Sequence, residues 1–216
     1  MSPSPRGLSG LAQAELAFPD PAELPPGASG PLDIGEFLAR YPGGDDADAA
    51  PVHLACVPTP IGAMLAGVQE GALVFLEFTN NERLARQFGA LRARFRGRLL
   101  AGSDILLDQT ARELAEYFAG ERRSFSLPLR YPGTPFEERV WRALLDLRHG
   151  QTCSYEELAI RTSTKGAVRA VGSANGRNRI AIVIPCHRVV NKSGGLGGYG
   201  GGLWRKRFLL ELERPR

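Results

Sequence analysis

Pro185 has no backbone N–H and fixes its own φ, so it ends any sheet ladder that reaches it. It follows Ile180-Ala181-Ile182-Val183-Ile184, an apolar and largely β-branched run bounded on its other side by Gly176 and Asn178. This pattern predicts a short strand buried on both faces. Cys186 and His187 come next, then Arg188-Val189-Val190 and a stretch with seven glycines between Gly194 and Gly202. A thiol is thus delivered to the end of a rigid element with open loop beyond it, an arrangement suited to a nucleophile.

Taken alone, Cys186 reads more readily as packing than as a nucleophile, because free cysteine is among the most often buried residue types. Its neighbours argue for reactivity. His187, Arg188, Lys192, Arg205, Lys206 and Arg207 surround it with positive charge, which lowers a thiol pKa and enriches the thiolate. The cysteines Cys56, Cys153 and Cys186 are odd in number and widely spaced, which argues against a disulfide framework. Without a secretory leader pattern or an apolar run long enough to cross a bilayer, the expected location is cytoplasmic, with no membrane partner.

Two capping boxes punctuate the second half. Thr134-Pro135-Phe136-Glu137 places proline at the first helical position ahead of Val140, Leu144, Leu145 and Leu147, and Ser154-Tyr155-Glu156-Glu157 starts a short helix to about Thr162. After Ser163-Thr164-Lys165-Gly166, residues 167–175 read as another helix, which gives helix-turn-helix spacing. Ala167, Ala170, Gly172, Ser173 and Ala174 make that helix unusually small-sided. Small side chains permit close backbone approach to DNA, or equally tight packing in a core. Lys165, Arg177 and Arg179 are candidates for phosphate contacts.

Ile184-Pro185-Cys186-His187-Arg188-Val189-Val190 resembles the active-site segment of the O6-alkylguanine-DNA alkyltransferases. The similarity extends through Ser154 to Ala159, Arg169-Ala170-Val171-Gly172 and Tyr199 to Leu203, and covers about residues 134–213 strongly. The resemblance implies repair by irreversible, single-turnover transfer of an alkyl group from O6-alkylguanine, and from O4-alkylthymine, to Cys186, without a cofactor. It implies a relay of Cys186, water, His187 and Glu213, with Asn178 bonding backbone in the turn that holds the site together. It implies that Tyr155 donates a proton toward guanine N3, and that the pocket is walled by Tyr155, Tyr199 and the backbone around Cys186 and Val189, with Lys206 at its edge. The small-sided helix then enters the minor groove, and Arg169 takes the place of the extruded nucleotide. Gly200 stands where some relatives have serine, which predicts a slightly roomier pocket. Some relatives hold a structural zinc, but His53 and Cys56 are only two ligands on opposite faces of one strand, so no metal is expected.

The first half reads as three short strands, 52–57, 62–68 and 72–78, forming an antiparallel meander. A helix capped by Asn80 or Asn81 runs to about Arg96, and a second, capped by Asp108, runs through Leu114, Tyr117 and Phe118 to Gly120. The expected class is α+β: a small N-terminal antiparallel sheet with helices over 51–130, then a mainly helical domain over 131–216 containing the helix-turn-helix and Cys186. Residues 1–50 hold eight of the 16 prolines and read as a flexible acidic extension, although Ile34, Phe37 and Leu38 could share one face of a short helix within 31–41. Residues 1–60 carry two basic and eight acidic side chains, leaving 25 basic against 15 acidic in the remainder, a net +10. A basic body suits a polyanionic partner, here alkylated double-stranded DNA met by a monomer. The rivals are a cysteine hydrolase, for which His53 and His149 lack a supporting context, and a non-enzymatic DNA-binding sensor, against which a retained Cys186 argues.

Overall fold

The computed structural model describes residues 32–40, 46, 48–79, 83–164 and 166–215. Strands β1 (Val52–Val57), β2 (Met64–Gln69) and β3 (Ala72–Phe78) form the expected antiparallel meander. Gln69 pairs with Ala72 across a two-residue turn in which Glu70 and Gly71 both have positive φ. That is the turn whose twist matches a hairpin. Helix α2 (Leu84–Phe95) leads to β4 (Leu99–Ala101), which adds to β1 in parallel, so the sheet is mixed, with order β3-β2-β1-β4.

The sheet is covered on both faces. Met64, Ala66 and Val68 point to one core, while Leu65 joins a second core with Val74, Phe75 and α2 residues Phe88 and Leu91. This is the period of two expected of a pleated strand. Helix α1 (Ile34–Arg40) packs on the second core through buried Phe37, whose ring meets Phe88 edge-on at 4.7 Å. The other residues of the expected N-terminal extension, apart from 32, 33, 46 and 48–50, lie outside the described residues, as do Asn80 and Asn81.

Helix α3 (Ile105–Phe118) corrects one boundary. Its cap is Asp104, in extended conformation, which accepts from Leu106 N at 2.8 Å, rather than Asp108. Asp108 lies in the first helical turn, where a carboxylate favours the helix dipole. Gly120, with φ +77°, follows the helix as expected of a C-terminal glycine.

The second half is mainly helical, with α4 (Pro135–Leu145), α5 (Tyr155–Arg161), α6 (Val168–Gly176) and α7 (Leu203–Leu212). Both capping boxes form as the sequence predicts. A short parallel pair, β5 (Cys153–Ser154) with β6 (Val189–Val190), ties the start of α5 to the segment after Cys186. Met64, Phe78 and Tyr117 share one core with Trp141, Val189 and Leu209, so the two halves are packed against each other. Among the described residues no helix is long and apolar enough to cross a membrane.

Residues 180–184 are not the expected strand. Ile180 makes one isolated bridge to Leu76 on the edge strand β3, and the chain then turns, with Ile184 N donating to Ile180 O at 3.0 Å. The β-branched composition reported burial, since all five residues are at most 6 % exposed, but the pairing with β3 stops at Ile180 and Ala181, and the rest of the segment is not held extended. Ile182 takes φ +70°, which costs a β-branched residue about 1–3 kcal/mol and persists only where the surroundings enforce it. This constrained turn leads directly into the thiol.

Candidate active site

Cys186 opens a single 3₁₀ turn (Cys186–Arg188) that follows Pro185. Asn178, in the turn after α6, holds the segment from inside. Its Nδ2 donates to Ile184 O at 2.8 Å and lies 3.1 Å from Cys186 Sγ, while its Oδ1 accepts from Ile180 N at 3.0 Å. Asn175, in the last turn of α6, donates to Cys186 O at 3.4 Å. The sulfur therefore has an amide donor on one side and a rigid backbone beneath it.

Burial pushes the Cys186 thiol pKa up, and nearby Glu77 adds to this; the Asn178 hydrogen bond, Arg83 and Lys206 oppose it. The expected depression of the thiol pKa is thus corrected: most of the positive charges near it in sequence are engaged elsewhere or face solvent. Arg188 binds Glu213, Arg205 donates to Ile61 O and Gly201 O and lies over the Phe78 ring, Lys192 pairs with Glu156 at the surface, and Arg207 is exposed. A buried, protonated thiol needs a base.

His187 is fully buried, and its Nε2 lies 3.0 Å from Glu213 Oε1. An ionised carboxylate only accepts, so Nε2 carries the proton and Nδ1 presents its lone pair. Burial lowers the His187 pKa, against the opposing pull of Glu213, and favours the neutral ring. Glu213 caps α7 and also accepts Tyr117 Oη at 2.7 Å, Arg188 Nε and Nη2 at 2.8 Å each, and Gly150 N at 3.3 Å. Burial alone would raise its pKa, but His187 and Arg188 outweigh that and hold it far below the usual carboxylate range.

Above the thiol lies a cavity of about 240 Å³ lined by Cys186, Tyr155, Tyr199, Glu77, Arg83 and Gly200, among others. Tyr155 Oη donates to Gly198 O at 3.3 Å. Lys206 is not at the cavity edge. It is fully buried, donating to Val189 O at 2.6 Å and Gly198 O at 3.1 Å, and burial lowers its pKa to about 8. Val189 lies behind the wall, and its carbonyl anchors that lysine. The Arg83 guanidinium occupies the space that a Cβ at Gly200 would take, and it donates to Gly176 O. The room expected from Gly200 is therefore filled by an arginine from the N-terminal half.

Helix α6 buries Val171, Ala174 and Asn175 and leaves Arg169, Ala170 and Ser173 exposed. Part of the small-sided face is thus turned to solvent, with Gly172 half-buried against the Tyr155 ring and Ala167 half-buried at the cap. Arg177 is exposed and pairs with Glu137 at 3.2 Å. Arg179 is not available to a phosphate: it is buried, donates to Pro132 O and lies 5.2 Å from the Trp141 ring centroid. Lys165 lies outside the described residues.

Two family profiles match the chain. Residues 52–131 match the 6-O-methylguanine DNA methyltransferase ribonuclease-like domain, and residues 135–215 match the DNA binding domain of the same family. The chain belongs to the 6-O-methylguanine DNA methyltransferase family. A methylated-DNA–protein-cysteine methyltransferase of Mycobacterium leprae is 40% identical over 163 residues, which are 76% of this chain and 93% of the relative. The corresponding Mycobacterium tuberculosis protein is 56% identical over 104 residues, 48% of this chain, and the chain spans 63% of that relative's length. Among solved structures, Mycobacterium tuberculosis OGT in complex with DNA superposes with TM-score 0.65 at 40% identity, covering 76% of this chain and 93% of that one. The methyltransferase of Pyrococcus kodakaraensis gives 0.52 at 28% identity, covering 75% and 98%.

In this methyltransferase family member the fold brings Cys186, Asn178, Tyr155, Tyr199 and Gly200 around one cavity, with His187 and Glu213 paired beside it. Sequence reasoning missed Tyr117, Asn175, Glu77 and Arg83, and took Arg188 for a neighbouring charge rather than the partner of Glu213. Only Arg188 carried a signal, as a cation two residues from the nucleophile. His149, which looked isolated, lies with its ring 6.1 Å from that of Tyr117.

Proposed function

We propose that the chain repairs duplex DNA by moving the alkyl group of O6-alkylguanine, or of O4-alkylthymine, onto Cys186 Sγ in a single turnover. The observation that carries this reading is a buried cavity-lining thiol beside a neutral histidine whose other nitrogen is locked by a carboxylate. Through a bridging water, His187 Nδ1 takes the Cys186 proton. The thiolate forms the C–S bond as the C–O6 bond breaks, and the electron pair of that bond leaves on the guanine. Tyr155 Oη donates a proton at guanine N3, which neutralises the leaving base. The thioether has no easy route back to thiolate, so each molecule acts once. No cofactor enters these steps.

The base is reached by extrusion. Helix α6 lays its exposed small residues in the minor groove, Ala167, Ala170 and Gly172 allow close approach, and Arg169 fills the gap left in the stack, while Lys165 and Arg177 meet phosphates. The cavity is smaller than the roughly 300–1,000 Å³ of drug-sized pockets, which suits one flat base. The protein acts as a cytoplasmic monomer, with residues 51–130 and 131–216 as its two units.

With a duplex carrying a labelled O6-methylguanine in excess, label is expected to saturate at one methyl per protein molecule. Continued turnover would overturn the proposal. Arg169→Ala is expected to slow transfer from duplex by about 10- to 100-fold, because flipping costs a few kcal/mol that the arginine helps offset. Its rate with free O6-benzylguanine should change by less than about twofold, since no stack is then opened. Equal losses on both substrates would place Arg169 outside the extrusion step.

A further inference from the structure

We infer that Tyr117, from the N-terminal half, is a positioning residue for the reaction at Cys186, its hydroxyl on Glu213 Oε1 setting how tightly the Glu213–His187 pair holds a proton. The inference rests on the proposed roles of Cys186 and His187. Helix α3 needs a large apolar side chain at this position, where Tyr117 is fully buried with its ring centroid 5.3 Å from Phe118 and 5.5 Å from Phe125. Phenylalanine would meet that need. A buried phenol must find an acceptor, and this one finds the carboxylate of a residue 96 positions away in the chain.

The atom it reaches is the one His187 uses. Oε1 accepts from Tyr117, His187 Nε2 and Arg188 Nη2, and Oε2 accepts from Arg188 Nε and Gly150 N. Each donor stabilises the carboxylate charge and so weakens its hold on an imidazolium. The other titratable groups around the pair are Arg188 from the 3₁₀ turn, Lys206 from α7, His149 after α4, and Tyr199, whose ring lies 6.4 Å from that of His187. Among the described residues, only Arg188 and Tyr117 share Oε1 with His187. Burial and Glu213 hold the Tyr117 pKa well above its ordinary value, so the hydroxyl stays a donor.

Removing that hydroxyl leaves Glu213 a stronger partner for protonated His187, so the neutral base is reached only at higher pH. The test is the rate of methyl transfer from an O6-methylguanine duplex to the full chain, from about pH 5 to pH 9, in wild type, Tyr117→Phe and a variant with 3,5-difluorotyrosine at 117. Fluorination keeps the ring and the hydroxyl but strengthens the donor. The acidic limb is expected to move up by about 0.5–1 pH unit in Tyr117→Phe, roughly a three- to tenfold loss on that limb, and to move down with difluorotyrosine, with plateau rates within about threefold. If Tyr117→Phe does not fold, the difluoro variant decides alone. Limbs that stay in place while wild type is methylated overturn this inference alone, whereas a wild type that takes up no methyl overturns the proposed function with it.

Discussion

Glu213→Ala is expected to destabilise the protein by about 3–5 kcal/mol in urea denaturation, because it removes one partner of a buried ion pair and strands the other. Glu213 is 1 % exposed and Arg188 6 %. The guanidinium would lose both of its bonds to the carboxylate and keep the one to Leu147 O, while Tyr117 Oη and His187 Nε2 would each lose their acceptor. The same pair sets the response to acid. The folded pKa of Glu213 is depressed, so its contribution is present above the unfolded value of about 4.3 and is lost as pH falls below it. The folded pKa of His187 is depressed as well. The unfolded chain therefore takes up that proton first, at about pH 6.5, and stability declines from there downward. Melting temperature should accordingly fall from pH 7 toward pH 4 in wild type. A cost under about 1 kcal/mol would show that the carboxylate is not the hub of this cluster.

Cys186→Ser should abolish alkyl transfer, by about 10⁴-fold or more, as removal of the nucleophile does in covalent enzymes. The hydroxyl keeps the geometry, and His187 remains to accept a proton. What is lost is the ionisation of a thiol and its softness toward an alkyl carbon. Cys186 is 8 % exposed, its sulfur in contact with Asn178 Nδ2, and serine accepts the same bond, so the change in stability should stay within about 1 kcal/mol. Binding to methylated duplex, measured by fluorescence anisotropy, should therefore be nearly unchanged. Loss of both transfer and binding would place Cys186 in the architecture of the DNA face instead.

Much of this was legible in the sequence where the signal is local. The Glu70-Gly71 turn between two apolar runs fixed the β2–β3 hairpin, and the boxes at Thr134–Glu137 and Ser154–Glu157 fixed two helix starts, because each depends on residues within four positions of one another. Asp104 and Asp108 show the limit of that reasoning, since both are of a capping residue type and only the backbone of Asp104 is extended. Strand β4 has three residues, too few to show a period. The turn at 181–183 has the composition of a strand but borders only the edge of β3. At the site, Cys186 and His187 announced themselves by adjacency. Tyr117 reaches Glu213, and Arg83 reaches Gly200, only because the two halves share a core. In the sequence, Tyr117 is simply one more apolar position of α3.

At the centre of the proposed mechanism, one sulfur receives the lesion's alkyl group. Its direct test is peptide mass spectrometry of the full chain after incubation with a duplex containing O6-methylguanine, with Cys186→Ser as control. The predicted result is a single added methyl on the peptide holding Cys186 and none in the control. A methyl on Cys56 or Cys153, or an unmodified chain from a duplex that has nonetheless lost its lesion, would contradict it.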